Sequence, residues 1–219
     1  MGDLKKYQIK NKTDDVLFAG FYKSVKDCVE AAVLQNINLN HADLSFINLA
    51  QANLDDAQMI DVDFTNTNLN GANLSEGQFD GSDFTNADVS FACFAMSSLC
   101  NANFTNASFG STDVQDAIIT GCQFSCPSVF TTQFHRAEIF ENCLYMHDSK
   151  GAMTLSKPPI SVVGLSHDIV YLDRFVKIGN DFVMKGDLLA AGDRHLQFIY
   201  GSNVASFLQP VLYENTAFL

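Results

Sequence analysis

From Ile37 to Leu144 a large apolar residue recurs at every fifth position. The series begins Leu39, Leu44, Leu49, Leu54, Met59 and Phe64 and ends Phe124, Val129, Phe134, Ile139 and Leu144, 22 positions without a miss. Two residues before the large one the residue is usually small: Ala at ten of the 22 positions, and Gly, Ser, Thr or Cys at seven more. The residue between them is mostly Asn, Asp, Gln or Ser. A period of five fits neither a helix nor a lone strand. It fits a coil that turns a corner every five residues. The large and small residues of each pentad then point inward and the one between them points out, because strand neighbours alternate faces. Asn, Asp, Ser and Gly after the large residue suit the corners. Four sides close a coil of about twenty residues, and stacking of coils makes a solenoid.

Stacking twenty residues apart builds ladders along the axis. One inner edge is expected to hold Leu44, Phe64, Phe84, Phe104, Phe124 and Leu144, with four phenylalanines in a row. Pro127, at a position usually Ala, and His135-Arg136 mark a looser end, and the repeat stops after Leu144.

Flanking segments follow other patterns. Residues 1–36 read as a hairpin and a helix: Lys6–Lys10 alternates, Val16–Phe18 follows a turn-like Asn11–Asp15, and Ser24 is placed to cap a helix from Val25 to about Gln35. Their expected job is to cover the first coil, the 37–146 solenoid being apolar at its open end. Residues 150–219 read as a small β-rich domain with strands at Ile160–Val163, Asp168–Leu172, Phe175–Ile178 and Asp181–Met184. A further strand is expected at Leu196–Tyr200, then a helix from Ser202 through Phe207 and Leu208 that Pro210 bends or ends.

Units such as His41-Ala42-Asp43-Leu44-Ser45, Gln51-Ala52-Asn53-Leu54-Asp55 and Asn101-Ala102-Asn103-Phe104-Thr105 resemble the pentapeptide-repeat family, whose pattern is A-(D/N)-(L/F)-x-x. The resemblance covers about half the chain and implies an all-β fold, a right-handed quadrilateral β-helix. It does not by itself imply a function. Pro158–Leu165, Asp168–Asp173 and Val176–Gly179 resemble the tail that follows such repeats in proteins encoded by tailed bacteriophages, and the hairpin–helix front is similar to those proteins too. Past Gly179 the chain departs from that pattern.

Charge changes the picture next. The net charge of −12 lies on the solenoid: residues 36–146 carry thirteen acids and one Arg, while the segments before and after are nearly neutral. Asp43, Asp63 and Asp83 are spaced one coil apart on one side. Asp55, Asp56 and Glu76 fall on a second side, with Asp113 and Asp116, and Asp61 and Asp80 fall on a third, with Glu138 and Glu141. At about 4.8 Å per coil the rod is roughly 26 Å long, or about one charge per 2.2 Å, against about 1.7 Å for duplex DNA. Such a surface attracts proteins with basic DNA-binding grooves and repels nucleic acid itself. Against this stands the repeat's own preference for Asp or Asn at the outward position, and the solubility that acidity confers.

Candidate chemistry is sparse. The sequence contains no phosphate-binding glycine loop, no Gly-x-Ser-x-Gly and no His-Glu-x-x-His. The six cysteines form no Cys-x-x-Cys pair and the five histidines are scattered, so free thiols, no metal and no cofactor are expected, in a reducing cytoplasm. Cys122 falls on an inward position. Met1–Lys12 is polar and no apolar run reaches membrane-spanning length, so neither signal peptide nor membrane partner is expected.

Two non-enzymatic functions follow. The resemblance to family members that protect or block DNA gyrase by imitating DNA implies an acidic, DNA-mimicking inhibitor of a topoisomerase, nuclease or defence complex, acting in the host cytoplasm if phage-encoded. Those members dimerise end to end through a short C-terminal helix. This chain continues into a domain instead, which separates it from gyrase in particular. The second function is a structural or scaffold component of a virion or its assembly, docking or forming a homodimer through the C-terminal segment at Phe207, Leu208, Val211 and Leu212.

Overall fold

In the computed structural model residues 3–191 are described, apart from 163 and 166. The chain divides into two compact units, Met1–Ser156 and Lys157–Leu219.

The first unit opens with β1 (Lys5–Asn11) and β2 (Val16–Tyr22), an antiparallel hairpin, followed by α1 (Val25–Leu34). Ser24 caps the helix as its sequence predicts, its Oγ accepting from Asp27 N at 3.1 Å. The apolar face of α1 is fully buried at Cys28, Val29 and Ala32. Its polar face reaches the first coil: Lys26 Nζ donates to Ala50 O (3.3 Å) and Glu30 Oε1 accepts from Asn53 N (2.9 Å). On the other flank β1 pairs antiparallel with β3 (Ala42–Asp43), so hairpin and helix are both joined to the start of the solenoid.

The solenoid then repeats one unit of backbone. Every fifth residue from His41 to Gly121 has φ between +55° and +69°, a left-handed corner. Each side between corners pairs in parallel with the side twenty residues on, as Asp43 with Asp63, Asn48 with Asn68, Asn53 with Asn73 and Gln58 with Gln78. Four sides per coil follow directly. Within the ladder Leu44 N donates to Asp63 O (2.9 Å) and Asp63 N to Ala42 O (2.9 Å), and the corner itself is tied down, Phe46 N to Thr65 O (3.0 Å). Along most of this stretch the backbone donors are therefore met by a neighbouring coil or by the turn.

The interior is filled as the five-residue period predicts. Phe64, Phe84, Phe104 and Phe124 stack with centroids 4.8, 4.7 and 5.6 Å apart and planes within 14°. Phe79 from the adjoining side and Phe94 from the opposite side meet this stack edge-on at Phe84, at 6.3 and 5.8 Å. The axis between Phe94 and Phe134 encloses a void of only about 10 Å³. The small inward position has its own reason. At Gly77 an added Cβ would lie 2.4 Å from Phe79 Cε2 and 3.4 Å from Ala57 O. Gly77→Ala should therefore cost about 1–3 kcal/mol in a chemical denaturation series, since Phe79 is locked among other rings and cannot yield.

The period fails near the end, and here the structure corrects the sequence reading. Cys126 has φ −79° where a left-handed corner would fall, and Pro127 opens a 3-10 turn at Pro127–Thr131, followed by a second at Phe134–Arg136. After β4 (Asn103–Phe104) and β5 (Ile118–Thr120), β6 (Gln123–Phe124) still pairs with β4 at a spacing of twenty. The next strands, β7 (Ile139–Glu141) and β8 (Cys143–His147), pair at twenty-one: Ile119 with Phe140 and Phe124 with Tyr145. One extra residue has entered the coil. A slip of one exchanges the two faces of a strand. Phe140, Cys143 and Tyr145 are buried, whereas Ile139 is exposed and Leu144 only half-buried. Tyr145, not Leu144, takes the inward place in register with Phe124.

The chain turns back in β9 (Gly151–Leu155), antiparallel to β8. Residues 151–155 thus pair with the solenoid, and the division between units falls after Ser156 rather than at Lys150. The second unit is an antiparallel sheet of β10 (Ile160–Val162), β11 (Ile169–Tyr171), β12 (Phe175–Ile178) and β13 (Asp181–Met184) in sequence order, followed by α2 (Lys185–Ala191). Its core gathers Ile169, Tyr171, Val176, Ile178 and Leu188.

Candidate functional surface

The outward position of each side carries a specific structural task. Asp43 Oδ1 accepts from Ser45 N (3.0 Å), Asp63 Oδ1 from Thr65 N (2.9 Å), Asp83 Oδ1 from Thr85 N (2.9 Å) and Asp88 Oδ1 from Ser90 N (3.0 Å). Asn48, Asn68, Asn73 and Asn103 do the same for the residue two ahead. These are Asx turns that satisfy a backbone donor just before the corner. The preference for Asp or Asn therefore has a local cause. Asn and Asp serve the turn equally, so the choice of Asp at 43, 63 and 83 adds charge without adding a turn contact.

The predicted acidic residues fall into three groups. Asp43, Asp63 and Asp83 are consecutive in one parallel ladder that continues to Asn103. Asn103 Nδ2 donates to Asp83 Oδ1 at 3.2 Å, closing the row. Asp56 and Glu76 stand at a corner, exposed, with Asp55 beside Asp56 and Asp116 in the same column. Asp61 is exposed at a third place, 3.6 Å from His41 Nδ1. Asp80 is half-buried and already engaged, its Oδ1 accepting from Ser98 Oγ (2.6 Å) and Cys100 N (2.9 Å). Arg136, the one Lys or Arg of residues 36–146, lies 3.3 Å from Asp113. Phe207, Leu208, Val211 and Leu212 lie outside the described residues.

The sequence reading passed over the corner residues Phe46, Phe91 and Met96, which are large, apolar and exposed. The signal was available: the same corner position elsewhere holds Asn, Asp, Glu, Gly, Ser, Gln or His.

An open cleft of about 700 Å³ lies beside β8 and β9, lined among others by Asn106, Ser125, Cys126 and His147. Several of its polar groups are engaged: Ser125 Oγ donates to Asn106 Oδ1 (3.0 Å), Cys126 Sγ lies 3.1 Å from Ser128 Oγ, and His147 Nδ1 lies 3.3 Å from Ser149 N. Six cysteines are free thiols, Cys28, Cys122 and Cys143 buried. The Cys122 thiol donates to Leu99 O at 2.8 Å, and its contact with Cys143 together with burial pushes its pKa well above the usual thiol range. Among the described residues no three His, Cys, Asp or Glu side chains converge as a metal site, and no helix is long and apolar enough to cross a membrane.

No curated protein matches the chain in sequence. Several solved structures are similar to it. A pentapeptide repeat protein (Rfr23) from the cyanobacterium Cyanothece 51142 is 14% identical over 56% of this chain and 99% of its own, with a TM-score of 0.48. A pentapeptide repeat protein of the Arabidopsis thaliana thylakoid lumen is 27% identical over 38% of this chain and 61% of its own, with a TM-score of 0.20. QnrB1, a plasmid-mediated fluoroquinolone resistance protein, is 15% identical over 49% of this chain and 60% of its own, with a TM-score of 0.30. The present chain thus spans about three-fifths of the length of the last two. The model for pentapeptide repeats, eight copies long, matches residues 32–71, 63–95 and 82–121. With corners every five residues and coils pairing every twenty, residues 32–121 match the pentapeptide-repeat pattern in both sequence and backbone.

Proposed function

We propose that the chain is a non-enzymatic protein-binding module whose acidic rod occupies the basic, DNA-binding groove of a DNA-handling enzyme or defence complex in the cytoplasm and so inhibits or regulates it. The observation that supports this reading best is the row Asp43, Asp63 and Asp83. These carboxylates repeat once per coil on a backbone hydrogen-bonded coil to coil, and one oxygen of each is fixed in a turn. Charges held this way repel one another at a spacing of about 5 Å, a cost that Asn at the same positions would avoid. They are also positioned before binding, which lowers the ordering cost of association. Asp55, Asp56, Asp61 and Glu76 extend the field around the rod, and Asp80 contributes from a half-buried place.

The triple substitution Asp43→Asn, Asp63→Asn, Asp83→Asn tests this cleanly because Asn keeps each turn. The net charge becomes −9 from −12 while the fold is retained. In affinity capture from a bacterial lysate the wild-type chain is expected to hold a DNA-handling enzyme that the triple variant and about 0.5 M salt release, exposed charges being screened within a few ångströms at that ionic strength. Capture of the same partner by both chains, or of phage structural proteins only, refutes the reading and moves attention to residues 157–219.

A further inference from the structure

Phe46, Phe91 and Met96 stand at corners of the solenoid 77%, 63% and 56% exposed. All three have φ near +58°. Gly and Asn occupy that region readily, whereas other side chains enter it at about 1 kcal/mol or more. Of the other corners seven are Gly or Asn, as at Asn66, Gly71, Gly81 and Asn86, and the remaining seven, among them Gln51, Glu76 and Ser111, are polar, so these three alone are apolar. Neither burial nor backbone preference accounts for the exposed exceptions. Phe91 and Met96 are on successive corners of one coil and bracket the side Ala92–Ala95. Met96 interrupts a column that is otherwise acidic and exposed, Asp56, Glu76 and Asp116. An apolar centre with a charged rim is the composition of a protein contact face.

Its complement is on the same chain. At the open end of the β1–β2 hairpin, Leu4 and Phe21 are 59% and 67% exposed. Lys6 pairs directly across from Phe21, and Lys5 and Lys23 are exposed beside it. The outer edge of β2 is free among the described residues, the sheet order being β2-β1-β3. The two patches carry opposite charge, and each offers two apolar anchors.

We propose that the face around Phe91 and Met96 receives the open end of the β1–β2 hairpin of a second copy of this chain. The contact joins unlike surfaces: each copy presents one patch of each kind, and the hairpin end of one meets the solenoid side of the next. Apposing two copies of the acidic face would set the Glu76 and Asp116 columns against each other, which charge repulsion disfavours. Asp43, Asp63 and Asp83 stand on a different side, so the contact leaves the proposed partner surface open.

Sedimentation velocity on the full chain tests this. At about 0.05 M salt the mean mass should rise with concentration above the 24.1 kDa monomer, and at about 0.5 M salt the association should weaken about tenfold or more. A rod variant, Phe91→Asn with Met96→Asn, keeps residues suited to the corner. A hairpin variant, Phe21→Thr with Lys6→Glu, changes only exposed positions, and Lys6→Glu alone gives a milder form of it. Circular dichroism verifies folding of each. Each variant alone should be monomeric, and their equimolar mixture should form a one-to-one complex, because each retains the face the other lost. A wild-type chain that stays monomeric at low salt, a mixture that stays monomeric, or a variant that associates by itself overturns the proposal.

Discussion

Phe84→Ala is expected to lower the free energy of unfolding by about 3–5 kcal/mol, the range for deleting a buried aromatic ring. Phe84 is fully buried at the centre of the stack, 4.8 Å from Phe64 and 4.7 Å from Phe104, with Phe79 and Phe94 edge-on to it. Its removal loses the transfer free energy of the ring and four aromatic contacts, each worth about 0.5–1.5 kcal/mol beyond area. The site has little freedom to collapse, since neighbouring coils are held at fixed spacing by the ladder bonds Phe64 N to Asp83 O and Phe84 N to Asn103 O. The end-of-stack change Phe124→Ala should cost less, because the 5.6 Å spacing to Phe104 is already looser. Urea denaturation of the two variants compares them. Equal loss at both sites would show that the stack does not act as a continuous column.

The second large effect separates two readings of the last coil. Tyr145→Ala should destabilise by about 3 kcal/mol or more, and Leu144→Ala by about 1 kcal/mol or less, because the ring of Tyr145 is buried and packs 4.9 Å from Phe130 while Leu144 is half in solvent. An unbroken five-residue period predicts the reverse order. Tyr145 adds a pH signature. Burial, and then the nearby Cys126 and Asp148, push its hydroxyl up to about 12. In the unfolded chain it titrates near 10. Above about pH 10 the unfolded chain releases a proton that the folded chain still holds, so stability is intact below that pH and falls as pH rises towards about 12. Tyr145→Phe should flatten this alkaline decline.

These two cases show where the sequence is readable and where it is not. From Leu39 to Phe134 a single rule, one large residue inward every five, places the buried side chains, and Ser24 marks the start of α1. The rule holds because each coil repeats the same hydrogen bonds, so an error in one pentad would be carried into all that follow. It fails beyond Phe134 because Ile139 and Leu144 happen to be apolar on both sides of the slip, and pattern alone cannot tell Leu144 from Tyr145. The two 3-10 turns were foreshadowed only by Pro127 and His135-Arg136. Helix α2 went unread because Gly186 weakens its pattern. At the surface, Asp at an outward position is ambiguous by nature. The Asx turns show why: the backbone asks for an oxygen there and is indifferent to its charge. Asp80 illustrates the limit, since nothing in the sequence distinguishes it from Asp55, yet it is engaged by Ser98 and Cys100.

The corners carry a consequence for how such a chain can change in length. Each corner turns the path by a quarter, so a surface column such as Asp43, Asp63 and Asp83 exists only while the count between its members stays at four pentads. Loss or gain of one pentad would leave every buried contact type intact and yet rotate all downstream faces by a quarter turn, scattering the column. Loss or gain of a whole coil would shorten or lengthen the column and leave its direction unchanged. The molecule therefore tolerates length change in two quanta with opposite effects, five residues redirecting what it presents and twenty residues extending it. The single extra residue before Phe140 fits neither quantum, and it falls where the regular corners end.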